Sequence, residues 1–412
     1  MHAASLPKDW PLLRLADVFH VQLGKMLSGK ARAGISPKPY LRNKNVQWGA
    51  IDTTEVIDMD FNANEMEKFR LCKDDLLMCE GGEPGRTAIW RDQIAECYYQ
   101  KAIHRLRPVD SRTLPEFYLY WFRFAFDITN FYGIAGASST IAHLPAAQLK
   151  SLTVPVPELG EQRRIAAVLS AVQRAIERQE RLIAVTAELK KALMHKLFTE
   201  GTRGEPLKQT EIGPVPKSWD IVTIGELFKF SSGKSRPKDA EEIPSADKPY
   251  PIFGGNGVMG YAAQHLLDSP ALVIGRVGVY CGCAHHTDGA AWISDNALYA
   301  KWVDDRIDTR YAREFFEFAN LNKHSSRAAQ PLVTQGILSS IKIPLPPKNE
   351  QRQMHTALAA LAHKIERHQR SERLFKSLFS TLLHQLMTAK IRVHDLDLSA
   401  LEARAPEPAG AA

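Results

Sequence analysis

The stretch "VPVPELGEQRRI" at residues 154–165 occurs a second time as "IPLPPKNEQRQM" at residues 343–354. Glu161 and Glu350 head the shared Glu-Gln-Arg triplet and are 189 residues apart. The same separation aligns the two copies without a gap as far as Thr199 and Thr388. An ungapped internal repeat of this length indicates that one structural unit has been duplicated.

A second, weaker repeat precedes each copy of this junction. "PKDWPLLRLADVFHVQLGK" at residues 7–25 resembles "PKSWDIVTIGELFKFSSGK" at residues 216–234. The residues between the repeated pieces share little sequence, so the frame is duplicated while its contents have diverged. This order predicts an α+β protein in which two globular mixed α/β domains alternate with two long helices. The predicted segments are the domains 1–157 and 206–346, the helices 158–205 and 347–392, and the tail 393–412.

Each junction leads into a pattern typical of a long helix. Pro155 and Pro157 exclude an earlier start, because proline lacks the amide hydrogen that a helix interior requires. The first helix is therefore predicted at 161–199 with Gly160 as its N-cap, and Asn349 is the predicted N-cap of the second helix. Apolar residues recur at alternating steps of four and three, which is the period of a coiled coil. The predicted seams are Ile165, Leu169, Val172, Ile176, Gln179, Ile183, Thr186, Lys190, Leu193 and Leu197, and Met354, Leu358, Leu361, Ile365, His368, Glu372, Phe375, Phe379, Leu382 and Leu386.

Two pairings of these helices fit the pattern. One is a coiled coil that joins different proteins. The other, which we favour, is antiparallel pairing of the two helices with each other, because they are near copies and each follows one domain. This pairing separates the two domains and relates them by an internal pseudo-two-fold axis. It also predicts that residues 1–205 alone would dimerise, with Thr186 and Lys190 in the places of Phe375 and Phe379.

Composition restricts the class of protein. No run of about 18 apolar residues is present, and the first ten residues lack the layout of a signal peptide, so neither a membrane span nor secretion is expected. The five cysteines form an odd and irregular set, which favours a reducing cytoplasm. The formal net charge of +7 makes nucleic acid a candidate partner.

Motifs for catalysis are weak or absent. "FGGNG" at residues 253–257 matches a cofactor turn of adenine methyltransferases, but the Asp/Asn-Pro-Pro-aromatic tetrapeptide that such enzymes also need is missing. Cys281, Cys283, His285 and His286 lack the second ligand pair of a structural zinc site. No P-loop is present. The chain alone is therefore expected to be no enzyme and to hold neither a cofactor nor a metal.

Polar residues in the two variable domains suit contacts with DNA. Arginine and lysine bind guanine and phosphate, whereas asparagine and glutamine suit adenine. Glycine-rich turns let the backbone approach a groove closely. The predicted DNA-binding residues are Arg42, Asn43, Asn45, Arg86, Lys101, Ser139 and Thr140 in the first domain, and Lys234, Arg236, Asn256, Arg276, Arg327 and Gln330 in the second.

Together these features resemble the specificity subunits of Type I restriction-modification systems. The resemblance extends from about Pro7 to Lys390 and rests on the duplicated junction, on "YLRNKNVQWGAID" at 40–52, on "KDDLLMCEGG" at 73–82 and on "PIFGGNGVMGY" at 251–261. It implies two target-recognition domains, each reading half of a bipartite asymmetric site in double-stranded DNA, with the two helices as a spacer. It also implies separate modification subunits, in two copies, and restriction subunits, which methylate adenine or cleave the DNA.

Two other classes of function stay open at this point. One is a DNA adenine methyltransferase that uses the turn at 253–257, which binding of S-adenosylmethionine to the isolated chain would reveal. The other is a coiled-coil scaffold that binds no DNA. A gel shift at several salt concentrations separates the scaffold from a DNA-binding protein, because phosphate contacts make affinity depend steeply on salt.

Overall fold

The structure is a computed structural model that describes residues 6–133, 143–325 and 331–395. The chain forms two compact units. The first unit comprises Met1–Gln179 and Ser371–Ala412, and the second unit comprises Glu180–Arg370. Within the described residues the α-helices are α1 (Leu15–Val18), α2 (Ala63–Phe69), α3 (Pro115–Phe122), α4 (Ala146–Ser151), α5 (Leu159–Glu200), α6 (Ile224–Leu227), α7 (Thr309–Ala319), α8 (Gln335–Ser340) and α9 (Lys348–Met387).

The first unit is built on two small sheets. In one sheet β2, β10, β7 and β8 follow one another in antiparallel order. In the other, β3 lies between the antiparallel β6 and the parallel β9. The strands are β1 (Leu12–Arg14), β2 (Phe19–Leu23), β3 (Pro37–Leu41), β4 (Val46–Gln47), β5 (Ala50–Ile51), β6 (Ile57–Asp60), β7 (Leu76–Cys79), β8 (Thr87–Ile89), β9 (Tyr98–Tyr99), β10 (Ile103–Pro108) and β11 (Thr153–Pro155).

The second unit repeats this topology. Its four-stranded sheet has the order β15, β21, β18 and β19, and β16 lies between the antiparallel β17 and the parallel β20. Strand order and orientation are thus shared although the sequences differ, as expected of a duplicated frame. The strands are β12 (Leu207–Thr210), β13 (Gly213–Pro216), β14 (Asp220–Thr223), β15 (Phe228–Ser232), β16 (Tyr250–Gly254), β17 (Gly257–Ala262), β18 (Leu272–Gly275), β19 (Ala284–His286), β20 (Trp292–Ile293), β21 (Ala297–Val303) and β22 (Lys342–Leu345).

The aromatic helix α3 belongs to the core of the first unit. α3 begins at Pro115, as predicted, and all eight of its residues except Glu116 are buried. It continues as a π-helical turn over residues 123–128, which lets Phe124 and Phe126 stay in the same core. The aromatic run is therefore core and offers no platform on which bases could stack.

The Pro-x-Pro junctions close the two domains on themselves. β11 pairs with β1 near the start of the chain, with Pro155 opposite Leu12. β22 pairs with β14 in the same way, with Leu345 opposite Asp220. Each pair is a two-stranded ribbon, in which both strands have a free edge, so prolines that cannot donate a hydrogen bond are tolerated there.

The repeated glutamate of the second junction, Glu350, anchors the start of α9 to other residues of the second unit. Glu350 is fully buried. Its carboxylate accepts hydrogen bonds from Trp219 Nε1 at 3.2 Å and from the backbone N–H of Thr202 at 2.8 Å, and it pairs with Arg203 at 3.5 Å. Gly201 adopts a φ of 71°, and a Cβ there would lie 2.7 Å from Glu350 Oε1. Glycine is required because the chain turns against this carboxylate directly after α5.

The first unit makes the same arrangement with residues from opposite ends of the chain. Glu161 accepts a hydrogen bond from Trp10 Nε1 at 2.9 Å and pairs with Arg392 at 3.5 Å. Arg392 and Arg203 are 189 residues apart, so they are equivalent in the repeat. In each unit, therefore, an arginine that follows one long helix binds the glutamate that begins the other.

The repeated glutamine fixes the domain to the first turn of the helix. Gln351 is fully buried, and its side chain accepts a hydrogen bond from the backbone N–H of Asp308 at 2.8 Å. It donates to the carbonyl oxygens of Arg306 at 2.9 Å and Pro346 at 2.8 Å. Gln162 makes the three corresponding bonds in the first unit. The Glu-Gln pair is thus repeated because each copy connects one helix to one domain.

The long helices begin slightly earlier than predicted. α5 has 42 residues and α9 has 40. The carbonyl oxygens of Glu158 and Pro347 already accept the first helical hydrogen bonds, from residues 162 and 350. The predicted N-caps Gly160 and Asn349 are therefore wrong, because both residues lie inside the first turn. Pro347 can stand directly before α9, because the fixed φ of proline suits a helix start.

The two helices run antiparallel. In the first unit, Ile165 near the start of α5 shares a core with Leu386 near the end of α9. In the second unit, Leu197 near the end of α5 shares a core with Met354 near the start of α9. Every position of the two predicted seams is buried or half-buried. The predicted antiparallel pairing is confirmed.

Candidate nucleic-acid interface

In the first unit the predicted DNA-binding residues lie on loops that leave one edge of the sheets. β3 and β9 are parallel neighbours, so the loops after them, 42–45 and 100–102, start at the same edge. The loop 80–86, between β7 and β8, joins them because Glu80 N–H donates to the carbonyl of Ala102 at 2.9 Å. We call these three loops the first edge loops.

Asn43 and Arg86 are brought together within the first edge loops. The Asn43 side-chain amide donates to the carbonyl of Gly81 at 2.8 Å. The Arg86 guanidinium donates to the Asn43 carbonyl at 3.2 Å and to Glu83 at 2.9 Å. Forty-three residues separate the two side chains in sequence, so the fold rather than a local motif places them side by side. Lys101, on the same edge, is exposed.

Arg42 and Asn45 have structural roles in the same loops. The Asn45 side chain is buried, donates to the carbonyl of Asp52 and accepts from the backbone N–H of Arg42. The Arg42 guanidinium is bound to the backbone and carboxylate of Glu55. These bonds fix the loop and leave Asn45 no exposed polar group. Ser139 and Thr140 lie outside the described residues.

The second unit has equivalent loops at 254–257, 276–282 and 294–296. Together with the loop 233–236, we call them the second edge loops. Lys234, Arg236 and Asn256 are exposed there, and Arg276 is half-buried and donates to Ser232 Oγ at 3.4 Å. Across the described ranges, none of the three cations forms an ion pair. Arg327 and Gln330 lie outside the described residues.

A cavity of about 380 Å³ opens among the second edge loops. It is lined by residues 254–259 and by Val277, Tyr280 and Asn296. Tyr280 is 49% exposed and Val279 beside it is 83% exposed. An aromatic ring, an amide and glycine backbone are groups that can stack on or hydrogen-bond to a base. The sequence analysis missed Tyr280 and Asn296. For Tyr280, the apolar stretch "VGVY" at 277–280 between glycines was the available signal.

The two sets of edge loops carry opposite charges at equivalent positions. The N–H of Gly24 donates to the carbonyl of residue 103, and the N–H of Gly233 donates to the carbonyl of residue 297, so these positions are equivalent and Lys101 corresponds to Asp295. The carbonyls of residues 102 and 296 accept from the N–H groups of Glu80 and Arg276, so these two residues correspond as well. Each pair reverses its charge between the units. One frame therefore presents two different surfaces.

The His285 side chain contacts the backbone of the glycine-rich turn in the second edge loops. Its Nε2 lies 3.2 Å from the carbonyl oxygen of Gly255. Burial lowers the pKa of His285 below its ordinary value of 6.5, and the hydrogen bond to Gly255 only partly offsets this. Burial also lowers the pKa of His286 and of His355 in the same unit. These side chains are therefore neutral at pH 7.

This electrostatic setting predicts that acid destabilises the second unit. When the pKa of a histidine is lower in the folded state, the unfolded state binds the proton first as pH falls. The stabilisation is present above the unfolded pKa, near 6.5, and is lost as pH falls through the lowered folded pKa. We expect the urea midpoint of this unit to drop between pH 7 and about pH 5.5. His285→Gln should reduce that drop, whereas the same change at the exposed His363 should leave it unaltered.

Two alternative sites do not fit the geometry. Phe253 to Gly257 form the end of β16 and the turn into β17, whereas a cofactor turn of the nucleotide-binding kind leads from a strand into a helix. In the parts of the chain that the structure describes, no three histidine, cysteine or acidic residues are grouped as metal ligands.

Among the same residues, no helix is both long and apolar enough to cross a membrane.

Comparison with known proteins assigns the family. Residues 7–187 and 216–374 match the family described as Type I restriction modification DNA specificity domain. The chain belongs to this family. The two matches fall on the two copies of the repeat, so each copy is one specificity domain. The protein is thus a DNA-recognition subunit, in which target selection is separated from catalysis, and the methyltransferase alternative is not supported.

Relatives match along almost the whole chain. The protein named as the MjaX type I restriction enzyme specificity subunit of Methanocaldococcus jannaschii is 26% identical over 411 residues, which cover 94% of this chain and 95% of the relative. The MjaVIII specificity subunit of the same organism is 24% identical over 432 residues and covers 96% of each chain. The crystal structure of the S subunit of a Type I system from M. genitalium shares the fold, with a TM-score of 0.64, 18% identity and coverage of 93% of this chain and 98% of that one.

Proposed function

We propose that the chain binds a bipartite asymmetric site in double-stranded DNA and that each unit reads one half of it through its edge loops. In this proposal the long helices act as the spacer between the two readers. Partner subunits then methylate adenine at the bound site or cleave the DNA. All five cysteines are free thiols, which suits work in the reducing cytoplasm.

One observation carries this proposal. The two units share strand order, junction and helix anchors, yet their edge loops differ in charge and shape at equivalent positions. Lys101 and Arg276 have acidic counterparts in the other unit, and the polar loop 42–45 has the glycine-rich turn 254–257 as its counterpart. Donors and acceptors on base edges differ between base pairs in the major groove. Two surfaces of different chemistry on one frame therefore suit two different half-sites.

Replacement of one domain tests whether the readers are independent. Residues 219–346 would be exchanged for the corresponding segment of a relative, and methylated adenines would be mapped in cells that contain the complete system. We expect one half of the methylated site to change and the other half to stay the same. A change in both halves, with methylation intact, would show that the units do not read separately.

We further propose that two copies of a modification subunit dock on outward faces of the long helices. Val185 and Leu189 on α5 are 61% and 54% exposed, and Leu374 and Leu378 on α9 are 63% and 44% exposed. The two pairs are 189 residues apart and therefore equivalent in the repeat. We call them the α5 patch and the α9 patch. Two equal apolar patches on one chain suit two copies of one partner.

The surrounding residues make these patches unusual. Between residues 182 and 192, buried or half-buried seam positions differ in type from their copies, as in Ile183 against Glu372 and Thr186 against Phe375. The exposed patch positions keep their apolar type in both copies. Core positions normally retain apolar character while exposed ones vary. The reversed pattern indicates that the outward face is under a common constraint, which a repeated partner provides.

Charged substitutions in one patch are expected to remove one partner copy. Leu374→Asp with Leu378→Asp should weaken binding of one modification subunit at least about tenfold, because two apolar contacts are lost. Native mass spectrometry of the reconstituted complex should then show one modification subunit instead of two. The α5 variant, Val185→Asp with Leu189→Asp, should have the same effect at the other patch. Ser377→Asp with Ser380→Asp adds the same charge at exposed neighbours and should leave two copies bound.

A further inference from the structure

Lys190 on α5 and Phe379 on α9 are equivalent in the repeat, and each faces the domain helix of its own unit. In the second unit, Lys190 Nζ lies 3.9 Å from Glu314 and 3.4 Å from Glu317 on α7. In the first unit, the Phe379 ring lies 6.0 Å from the ring of Tyr120 on α3. A charged pair in one unit thus takes the place of an aromatic pair in the other.

The buried carboxylate of Glu314 requires positive charge beside it. Glu314 is buried, with a side chain only 2% exposed, and the side chain of Lys190 is 15% exposed. Arg313 donates to the Glu314 carboxylate at 2.8 Å, and His355 Nδ1 lies 4.0 Å from it. Taking a carboxylate out of water is unfavourable unless cations compensate it. A phenylalanine at position 190 would remove the lysine ammonium and cover the carboxylate with an apolar ring.

The aromatic pair has no comparable place for a lysine. Tyr120 and Phe379 are buried, and the Arg123 guanidinium lies 4.8 Å from the centre of the Phe379 ring. The Tyr120 hydroxyl lies 3.0 Å from Ser170 Oγ. The Arg123 guanidinium is itself paired with Asp127 at 3.7 Å. A lysine ammonium at position 379 would meet a guanidinium of the same sign in a largely buried site.

We propose that these two pairs form a pairing code for the long helices. The code directs the C-terminal part of α5 to the second unit and the C-terminal part of α9 to the first. When two copies of the chain meet, it opposes insertion of the C-terminal part of α5 from one copy into the place of α9 in the first unit of the other copy, and the converse insertion of α9 into the second unit. Either insertion would create a mismatch around a buried charge. Polar residues at single seam positions select partners in coiled coils by the same principle. The proposal does not depend on DNA binding or on partner subunits.

The code also bears on residues 1–205 taken alone. Symmetry predicts that two such copies would pair through their seams. Each pairing would place Lys190 against Tyr120 and Arg123, which is the mismatch that the code opposes. We therefore expect this symmetric dimer to be disfavoured, and the structure identifies Lys190 as the residue that disfavours it.

Co-expression of two full-length copies with different affinity tags tests the code. In the variant Lys190→Phe with Glu314→Tyr, both units present the same aromatic pair, so either helix end fits either unit. We expect co-purification of the two tagged copies to rise about tenfold or more over the wild type, because one mismatched buried charge shifts an equilibrium by at least that factor. Glu188→Tyr with Lys191→Phe makes the same chemical changes at exposed neighbours and should stay at the wild-type level.

Single variants decide the question if the double variant is not recovered. Lys190→Phe and Phe379→Lys each create one mismatch in an otherwise unchanged chain. Each should lower the melting temperature by about 5 °C, whereas Lys191→Phe should not. A soluble double variant that co-purifies no more than the wild type would overturn the proposal. So would a single variant that melts at the wild-type temperature, because that position would then accept the residue of its copy.

Discussion

The triple variant Lys234→Gln, Arg236→Gln, Arg276→Gln is expected to bind its target duplex about 100-fold more weakly than the wild-type chain at about 0.15 M salt. The three cations lie on the second edge loops, and within the described ranges none is neutralised by a carboxylate. Each phosphate contact that is lost removes about 0.9 from the slope of log affinity against log salt. The slope should therefore fall by up to about 3, which fluorescence anisotropy at four or five salt concentrations measures.

A matched variant separates local contacts from net charge. Lys191→Gln, Lys196→Gln, Lys217→Gln removes the same charge from exposed positions of the same unit that are not on the edge loops. We expect it to change affinity and salt slope much less than the edge-loop variant. Equal effects in the two variants would mean that DNA senses only the overall charge of the unit, and the edge loops would then lose their assigned role.

Glu350→Ala is expected to lower the free energy of unfolding of the second unit by about 3 kcal/mol. The carboxylate is fully buried and accepts hydrogen bonds from Trp219 Nε1 and from the backbone of Thr202. Each bond to a charged group contributes about 1.5–3 kcal/mol, and a buried donor left without a partner adds its own penalty. Denaturant titration followed by tryptophan fluorescence measures the change, since Trp219 is itself part of the anchor.

The neighbouring members of the repeat provide the controls for this change. Arg352 belongs to the same triplet but is exposed, so Arg352→Ala should alter stability by no more than about 0.5 kcal/mol. Glu161→Ala should destabilise the first unit less than Glu350→Ala destabilises the second, because the Glu161 side chain is 16% exposed. If Glu350→Ala were as mild as Arg352→Ala, the anchor would not hold helix and domain together.

Local patterns were sufficient to predict the frame. The duplicated junction, the coiled-coil period and the Pro115 helix start depend on residues within one or two turns of each other, and the structure confirms them. The antiparallel pairing followed from the presence of two equivalent long helices in one chain, each of which follows one domain. The N-caps at Gly160 and Asn349 were wrong because the carbonyl oxygens of Glu158 and Pro347 already accept helical hydrogen bonds, which puts both residues inside the first turn. That error spans a single turn.

Residues that are distant in sequence decided which polar side chains face outward. Lys25 and Lys234 occupy the same place in the repeated Gly-Lys, and the sequence alone cannot separate them. In the structure Lys25 bonds to Glu65 at 2.6 Å and its side chain is only 12% exposed, whereas Lys234 is exposed. The carboxylate that draws Lys25 inward comes from a helix 40 residues away.

The same reason applies to the candidate interface and to the helix pairing. Asn43 and Asn45 are two residues apart and chemically identical, yet Asn45 is enclosed by its own loop while Asn43 reaches the loop after β7. Lys190 interrupts an apolar seam in the sequence, and the fold places the carboxylate of Glu314 beside it. The repeat, the helices and the kinds of side chain available follow from the linear sequence. Which polar side chains are exposed depends on the fold, because burying a polar group is favourable only where the fold supplies its partner.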